Sequence, residues 1–187
     1  VVKPVDGGGG LGIWLIERAE QLCSVVNKLV QTMNYGGRGF SGFIVESGLS
    51  GDEFSLQGVV HQGHPQALTC CQKVIERHRD ADGCISFCES GHVALAAVAL
   101  PPSFTSLMAF CCGTFGYRQG AFHIDFILVN GIPHFLEMGF RLSGMGVATL
   151  VQEATGIDWA EVTFGLEAGA VLPAFAFTAP RAVGQLR

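Results

Sequence analysis

Residues 120–144 read GAFHIDFILVNGIPHFLEMGFRLSG, and their alternation predicts two strands joined by a tight turn. Successive side chains point to opposite faces, so His123, Asp125 and Ile127 share one face of the first strand. Asn130-Gly131 between apolar runs is a hairpin signal, because the favoured two-residue turn needs positive φ at both positions. The second strand, 132–138, carries Glu137 near its end, and Arg141 follows in the loop. Such a hairpin brings Asp125 and Glu137 within reach of one ion, with Arg141 beside them. Hard cations take carboxylate oxygens and a guanidinium fork matches phosphate, so the set suits Mg²⁺ and a polyphosphate. Ordinary charges on a half-buried hairpin are the competing reading. The apolar flanks weigh against it, since acids set among Phe122, Ile124, Phe126 and Leu128 are costly unless paired or metal-bound.

A second phosphate-type signal stands at the other end of the chain. Residues 1–6, VVKPVD, read as a short strand running into GGGGLG at 7–12. Trp14, Leu15, Ala19, Leu22, Val25, Val26, Leu29, Val30 and Met33 recur at helical spacing, which predicts a helix directly after the glycines that ends before Tyr35-Gly36-Gly37. Strand, glycine loop and helix would make a phosphate cradle. Glycine lets successive N–H groups turn toward an anion, and a helix N-terminus adds favourable polarity. Lys3 lies just before the loop. No Gly-Lys-Ser/Thr closes it, so it is not a Walker loop, and a flexible glycine linker is the alternative.

Between these ends, 42–46 reads as a buried strand, 47–51 as a turn and 52–60 as another strand. Glu53 alternates there with Phe54 and Leu56, placed either to accept both hydroxyls of a ribose or to stand as a solvated edge carboxylate. Residues 66–75 and 84–89 look like further strands. Pro101-Pro102 precedes a helical run through Phe104, Leu107, Met108, Cys111 and Phe115. Two more helices are expected at 146–155 and 158–168, with Asp158 as N-cap and Gly156 as the preceding stop. The apolar tail from Pro173 carries no clear signal.

Composition narrows the classes. Of 187 residues, 49% are hydrophobic and 14% charged, which fits a folded core and not disorder. A net charge of −5 argues against a nucleic-acid backbone as partner. No apolar run approaches the ~18 residues of a membrane-spanning helix. The seven cysteines form no CxxC and read as reduced, mostly buried thiols of a cytoplasmic protein. His61 and His64 flank a turn and lack a third ligand, so a metal role is not assigned to them. The chain starts at Val1 inside a strand, which reads as a fragment.

Taken in order, VVKPVDGGGGLGI, FIVESGLSGDEFSLQGVV, FCESGH, GAFHIDFILVNGIPHFLEMGFRLSG and LVQEATGID resemble the ATP-grasp superfamily over nearly the whole chain. Within it, GDEFSLQGVVHQG, ESGH and GAFHIDF resemble the carboxylate–amine ligases related to bacterial L-amino-acid ligases. Carbamoyl-phosphate synthase, biotin carboxylase and the purine ligases share the core. The resemblance implies an α+β ATP-grasp fold, a mostly antiparallel sheet with packed helices, whose two subdomains clasp ATP. Residues 1–45 would be part of the lid subdomain, 46–172 the catalytic subdomain, and 173–187 the start of a truncated C-terminal segment.

Residue by residue, the resemblance makes Lys3 the lysine that touches adenine and an inner phosphate. Gly7, Gly8, Gly9 and Gly10 belong to the lid over the phosphates. Glu46, Ser47, Gly48 and Leu49 are the hinge that reads the adenine edge, and Glu53 holds the ribose. Asp125 and Glu137 are the Mg²⁺ (or Mn²⁺) carboxylates, and Arg141 is the catalytic arginine at the transferred phosphoryl group. Lys73, Glu89 and His92 fall in blocks that resemble substrate-side segments. The family's third metal ligand, an Asn two residues after the glutamate, is Gly139 here, and its N-terminal domain is missing. The implied activity is ATP-dependent amide formation through an acyl-phosphate, from a small carboxylate (an amino acid) and an amine. No nucleic acid or membrane partner is implied, and homo-oligomerisation is left open. An ATP-binding module without ligation and a carboxylase-type enzyme are the alternatives.

Overall fold

Val2–Pro4 (β1) and Trp14–Leu15 (β2) run antiparallel, Val2 opposite Trp14, with the glycines in the connection between them. The structure is a computed structural model that describes residues 1–97, 100–175, 177 and 181–186. The helix expected straight after the glycines begins only at Gln21, as α1 (Gln21–Gln31). Trp14 and Leu15 fit the helical period by coincidence: β2 takes them to pair with residues 85 and 86. The polar stretch 17–20 then separates them from α1, and the Gln21 side chain accepts from the N–H groups of Glu17 and Arg18. Val25 and Leu29 of α1 pack with Val2 and Cys84, flanked by Trp14, Phe40 and Phe43. Phe43–Val45 (β3) pairs with β1, Lys3 opposite Ile44. It was expected to be buried, but Ile44 and Val45 are exposed because β3 is an outer strand with β1 on one side only.

The remaining elements are β4 (Asp52–His61), β5 (His64–Arg79), β6 (Ile85–Ala96), α2 (Pro102–Thr114), β7 (Gly120–Val129), β8 (Ile132–Gly139), α3 (Val147–Thr155), α4 (Trp159–Glu167) and β9 (Ala182–Leu186). β5 and β6 outrun the apolar stretches that announced them. β9, which pairs with β6, was not foreseen in the tail. Asp158 caps α4 by accepting from the Glu161 N–H, and Gly156 ends α3 with φ 75°, as the sequence indicated. Among the described residues no helix is long and apolar enough to cross a membrane.

Packing divides the chain into two units: Val1–Leu49 with Ile75–Ser90, and Ser50–Val74 with Gly91–Arg187. The long strands β5 and β6 each contribute to both units. In the second unit β5, β4, β7 and β8 are successive neighbours, antiparallel wherever their register is defined. One apolar face, with Leu56, Phe122, Ile124 and Phe126, packs on Phe104 and Met108 of α2. A second cluster joins Val59, Leu68 and Ala121 to Leu150 and Val151 of α3 and Trp159 and Leu166 of α4. Trp159 Nε1 donates to the Gly58 carbonyl at 3.0 Å. Gly58 sits at a β-bulge where a Cβ would lie 2.3 Å from the Gln66 carbonyl oxygen, so no other residue fits without a shift.

Candidate functional site

The β7–β8 hairpin turns at Asn130 (φ 51°) and Gly131 (φ 81°), the conformation its dipeptide favours. Its register sets Asp125 opposite Glu137 and His123 opposite Gly139. On the other side of β7, Ser55 of β4 faces Asp125 and Gln57 faces His123; beyond β4, Cys71 and Thr69 of β5 face Ser55 and Gln57. Period two therefore lines Glu53, Ser55, Gln57, Thr69, Lys73, His123, Asp125 and Glu137 along the face opposite α2. One face of the sheet is core, and the other carries a polar row.

Asp125 is the centre of that row. It is buried, 7% exposed, and both its oxygens have donors: Oδ1 accepts from Ser55 Oγ at 2.5 Å and Oδ2 from Lys73 Nζ at 2.5 Å. The same ammonium donates to Glu53 Oε1 at 2.9 Å. Burial pushes the Lys73 pKa down, but the charges of Asp125 and Glu53 outweigh it and raise the pKa, so Lys73 stays protonated. Glu137 is exposed. Arg141 is exposed too, its Nη1 donating to the Leu142 carbonyl at 2.8 Å, and its own carbonyl oxygen lies 3.4 Å from His123 Nδ1. His123 is buried against Gly139: a Cβ at 139 would fall 2.2 Å from the imidazole Cε1. An Asn here, the third ligand that the family resemblance implies, has no room unless the ring moves.

In the first unit, Lys3 Nζ lies 2.7 Å from Glu46 Oε2, and Val1 and Glu46 exchange backbone hydrogen bonds at 2.7 and 2.8 Å. Ser47, Gly48 and Leu49 follow as exposed chain without regular structure. Gly7, Gly8 and Gly9 are exposed, and Gly9, Gly10 and Gly12 adopt φ 58°, 79° and 81°. The loop joins two strands, so the helix N-terminus expected behind it is absent. An anion placed here would meet the loop's own N–H groups and no helix terminus.

The hairpin thus joins Asp125 and Glu137 as the sequence indicated, and ties the Arg141 backbone to His123. Three participants were missed: Ser55, His123 and the bridging role of Lys73. The last had a signal, because Lys73 is the one cation in the stretch LTCCQKVI of β5, and a lysine in so apolar a run needs an acidic partner. Among the described residues no group of three or more His, Cys, Asp or Glu is set to hold a metal ion. Two opposed carboxylates nevertheless fit Mg²⁺, which takes one or two from protein and the rest from phosphate and water.

The ATP-grasp domain family matches residues 1–145. Dapdiamide A synthase of Enterobacter agglomerans is 22% identical over 156 residues, which cover 83% of this chain and 36% of that protein. Among solved structures, L-amino acid ligase from Bacillus licheniformis superposes with TM-score 0.66 at 23% identity, over 88% of this chain and 38% of that one. The biotin carboxylase domain of Hydrogenobacter thermophilus 2-oxoglutarate carboxylase gives TM-score 0.68 at 21% identity, over 96% and 39%. The chain spans about two-fifths of the length of these proteins. At such identities the structural likeness establishes the fold: a mostly antiparallel sheet with packed helices.

Proposed function

The chain belongs to the ATP-grasp domain family, and from that membership we propose that it serves an ATP-dependent carboxylate–amine ligase, joining a small carboxylate such as an amino acid to an amine. The observation that carries the reading is the cross-strand pair Asp125 and Glu137 on the hairpin whose outgoing loop bears Arg141. The likeness to dapdiamide A synthase and L-amino acid ligase supports an amino-acid substrate; the likeness to a biotin carboxylase domain keeps bicarbonate as the competitor.

In this reading a carboxylate oxygen of the substrate attacks the γ-phosphorus, ADP leaves, and an acyl-phosphate forms. The amine nitrogen then attacks the acyl carbon, phosphate leaves with its electron pair, and the nitrogen loses a proton to give the amide. Asp125 and Glu137 would hold Mg²⁺, or Mn²⁺, which supplies charge neutralisation to the transferring phosphoryl group. Arg141, exposed and committed to one backbone carbonyl, keeps further N–H groups for phosphoryl oxygens. Gly7, Gly8, Gly9 and Gly10 offer backbone N–H groups to phosphate, and Lys3 serves adenine and an inner phosphate. In the hinge 46–49, the backbone at Ser47, Gly48 and Leu49 would serve the adenine edge, while the Glu46 N–H and C=O are paired with Val1. Glu53 has one oxygen on Lys73 and keeps the other for a ribose hydroxyl.

Mg-ATP-dependent phosphate release, measured with single amino acids, amino-acid pairs and bicarbonate, tests the reading. Release that requires an amino-acid pair supports it; release with bicarbonate moves the protein to the carboxylase type. Glu137→Gln should abolish turnover while leaving the melting temperature in place, since Glu137 is exposed. Unchanged turnover in that variant would sink the assignment. Gly139, closed off by His123, favours a second reading: a module that binds ATP without ligation. It predicts Mg-ATP binding with no phosphate release on any panel member.

A further inference from the structure

Asp125 is buried, and a buried carboxylate is costly unless a positive neighbour pairs with it. In the structure that neighbour is Lys73, seated on Oδ2, while the neutral Ser55 hydroxyl takes Oδ1. A carboxylate oxygen has lone pairs enough to keep a hydroxyl donor and still ligate an ion. An ammonium on the same carboxylate repels an arriving divalent cation, so holding both at once is disfavoured. The ammonium has a second seat, since it already bonds Glu53 Oε1.

We propose that Lys73 is the resident counter-cation of Asp125, and that a divalent ion reaches this carboxylate only as the ammonium withdraws toward Glu53. The inference rests on the reading of Asp125 as a cation ligand and adds the competitor for that place. Two consequences follow. The free ion binds weakly, because it must displace a charge that already satisfies the carboxylate. Lys73 also links the ion to Glu53, so whatever engages Glu53 alters the ease of that displacement.

The test is Mn²⁺ binding without nucleotide, followed by the paramagnetic signal of the free aqua ion, together with thermal melts with and without Mn²⁺. Lys73→Met keeps the stem and removes the charge. It should tighten the Mn²⁺ Kd by about tenfold or more, within the usual range of coupling between two bound species. Mn²⁺ should also raise its melting temperature more than that of wild type, because the ion supplies the missing charge. Lys73→Arg, which keeps the charge, should bind Mn²⁺ as weakly as wild type. If Lys73→Met does not fold, Glu53→Gln carries the test: with the Glu53 seat removed, Mn²⁺ binding should weaken below wild type.

Mn-ATP binding by wild type, with no gain of Mn²⁺ affinity in Lys73→Met, overturns the inference and leaves the ligase reading intact. Unchanged Mn²⁺ binding in Glu53→Gln overturns it equally. Absence of Mn²⁺ binding in wild type and variant alike, even with ATP, removes Asp125 as a ligand and takes this inference with it.

Discussion

Lys28 and Lys73 each pair with two carboxylates among the described residues, and their surroundings differ. Lys28 lies 2.5 Å from Asp80 and 2.8 Å from Asp82 in the first unit; Lys73 lies 2.5 Å from Asp125 and 2.9 Å from Glu53 in the second. The first three side chains are 31%, 27% and 55% exposed, the second three 10%, 10% and 24%. For Lys28 the hydrogen bonds to Asp80 and Asp82 dominate and raise the pKa. For Lys73 burial is the largest influence and opposes the charge, so the acids are needed to keep the ammonium at all. The first cluster ties α1 to the turn before β6, helped by Ser24 Oγ on Asp82 and the Trp14 ring 5.2 Å from the ammonium. The second lies in the row that holds the candidate site. Proximity of opposite charges is common to both; desolvation distinguishes the cluster in the candidate site.

Thiol reactivity is the sharpest probe of this contrast in burial. Cys70 and Cys71 on β5 and Cys112 on α2 are buried, which pushes each thiol up to about 12. Cys23 and Cys88, both in the first unit, are exposed. At pH 8 a thiol with a pKa of about 12 holds roughly 10³-fold less thiolate than an ordinary one near 8.5. Ellman's reagent should therefore modify two of the seven cysteines rapidly and the others only on unfolding. Fast modification of Cys70, Cys71, Cys111 or Cys112 would show that the second unit is open.

Lys73→Met is next in size. It leaves Asp125 and Glu53 facing each other without a cation, and breaking a buried pair from one side costs about 3 kcal/mol or more. For a chain of this length that is a loss of roughly 6–12 °C in melting temperature. A loss no greater than that of Lys28→Met would erase the distinction between the clusters.

How far the sequence could be read follows the same division. The β7–β8 hairpin was legible because strand alternation and Asn130-Gly131 are local signals, and they placed Asp125 opposite Glu137 without any tertiary information. Asp158 and Gly156 announced the boundaries of α3 and α4 for the same reason. Ser55, Lys73 and His123 were not legible as partners, because their roles depend on which strands become neighbours, and β5, β4 and β7 are brought together by packing. The helix expected at Trp14 failed through competition. An apolar period of 3.6 accommodated two residues that strand pairing then claimed, and the polar stretch 17–20 that separates them from α1 weighs little in a periodicity count.

Gly139→Asn probes the polar row without touching a charge. The new Cβ meets the His123 ring, so overpacking should cost about 1–3 kcal/mol. His123→Ala in the same background should restore most of that stability, since it removes the colliding atoms. Urea unfolding of the two single variants and the double gives the coupling. Additive losses would mean that the ring moves aside freely and that Gly139 is not enforced by His123.

The smallest effect belongs to Lys28→Met. Its partners are hydrated, and exposed pairs contribute little, so the melting temperature should fall by no more than about 3 °C at pH 7. The pH dependence identifies what remains. The Lys28 hydrogen bond is the largest of the influences that hold Asp80 and Asp82 below the usual aspartate value of about 3.9. A depressed carboxyl stabilises the fold above its unfolded pKa and stops doing so as pH falls through the folded one. Lys28, raised, contributes below its unfolded value and loses that contribution only as pH rises through the folded one. The gap between wild type and variant should stay flat from about pH 5 to 9 and close in acid below about pH 3. Asp80 also accepts from the N–H groups of Asp82 and Cys84, which the substitution leaves in place. The variant should therefore retain part of the acid sensitivity of wild type, and a gap that persists in acid would assign the loss to the contact of the Lys28 ammonium with the Trp14 ring.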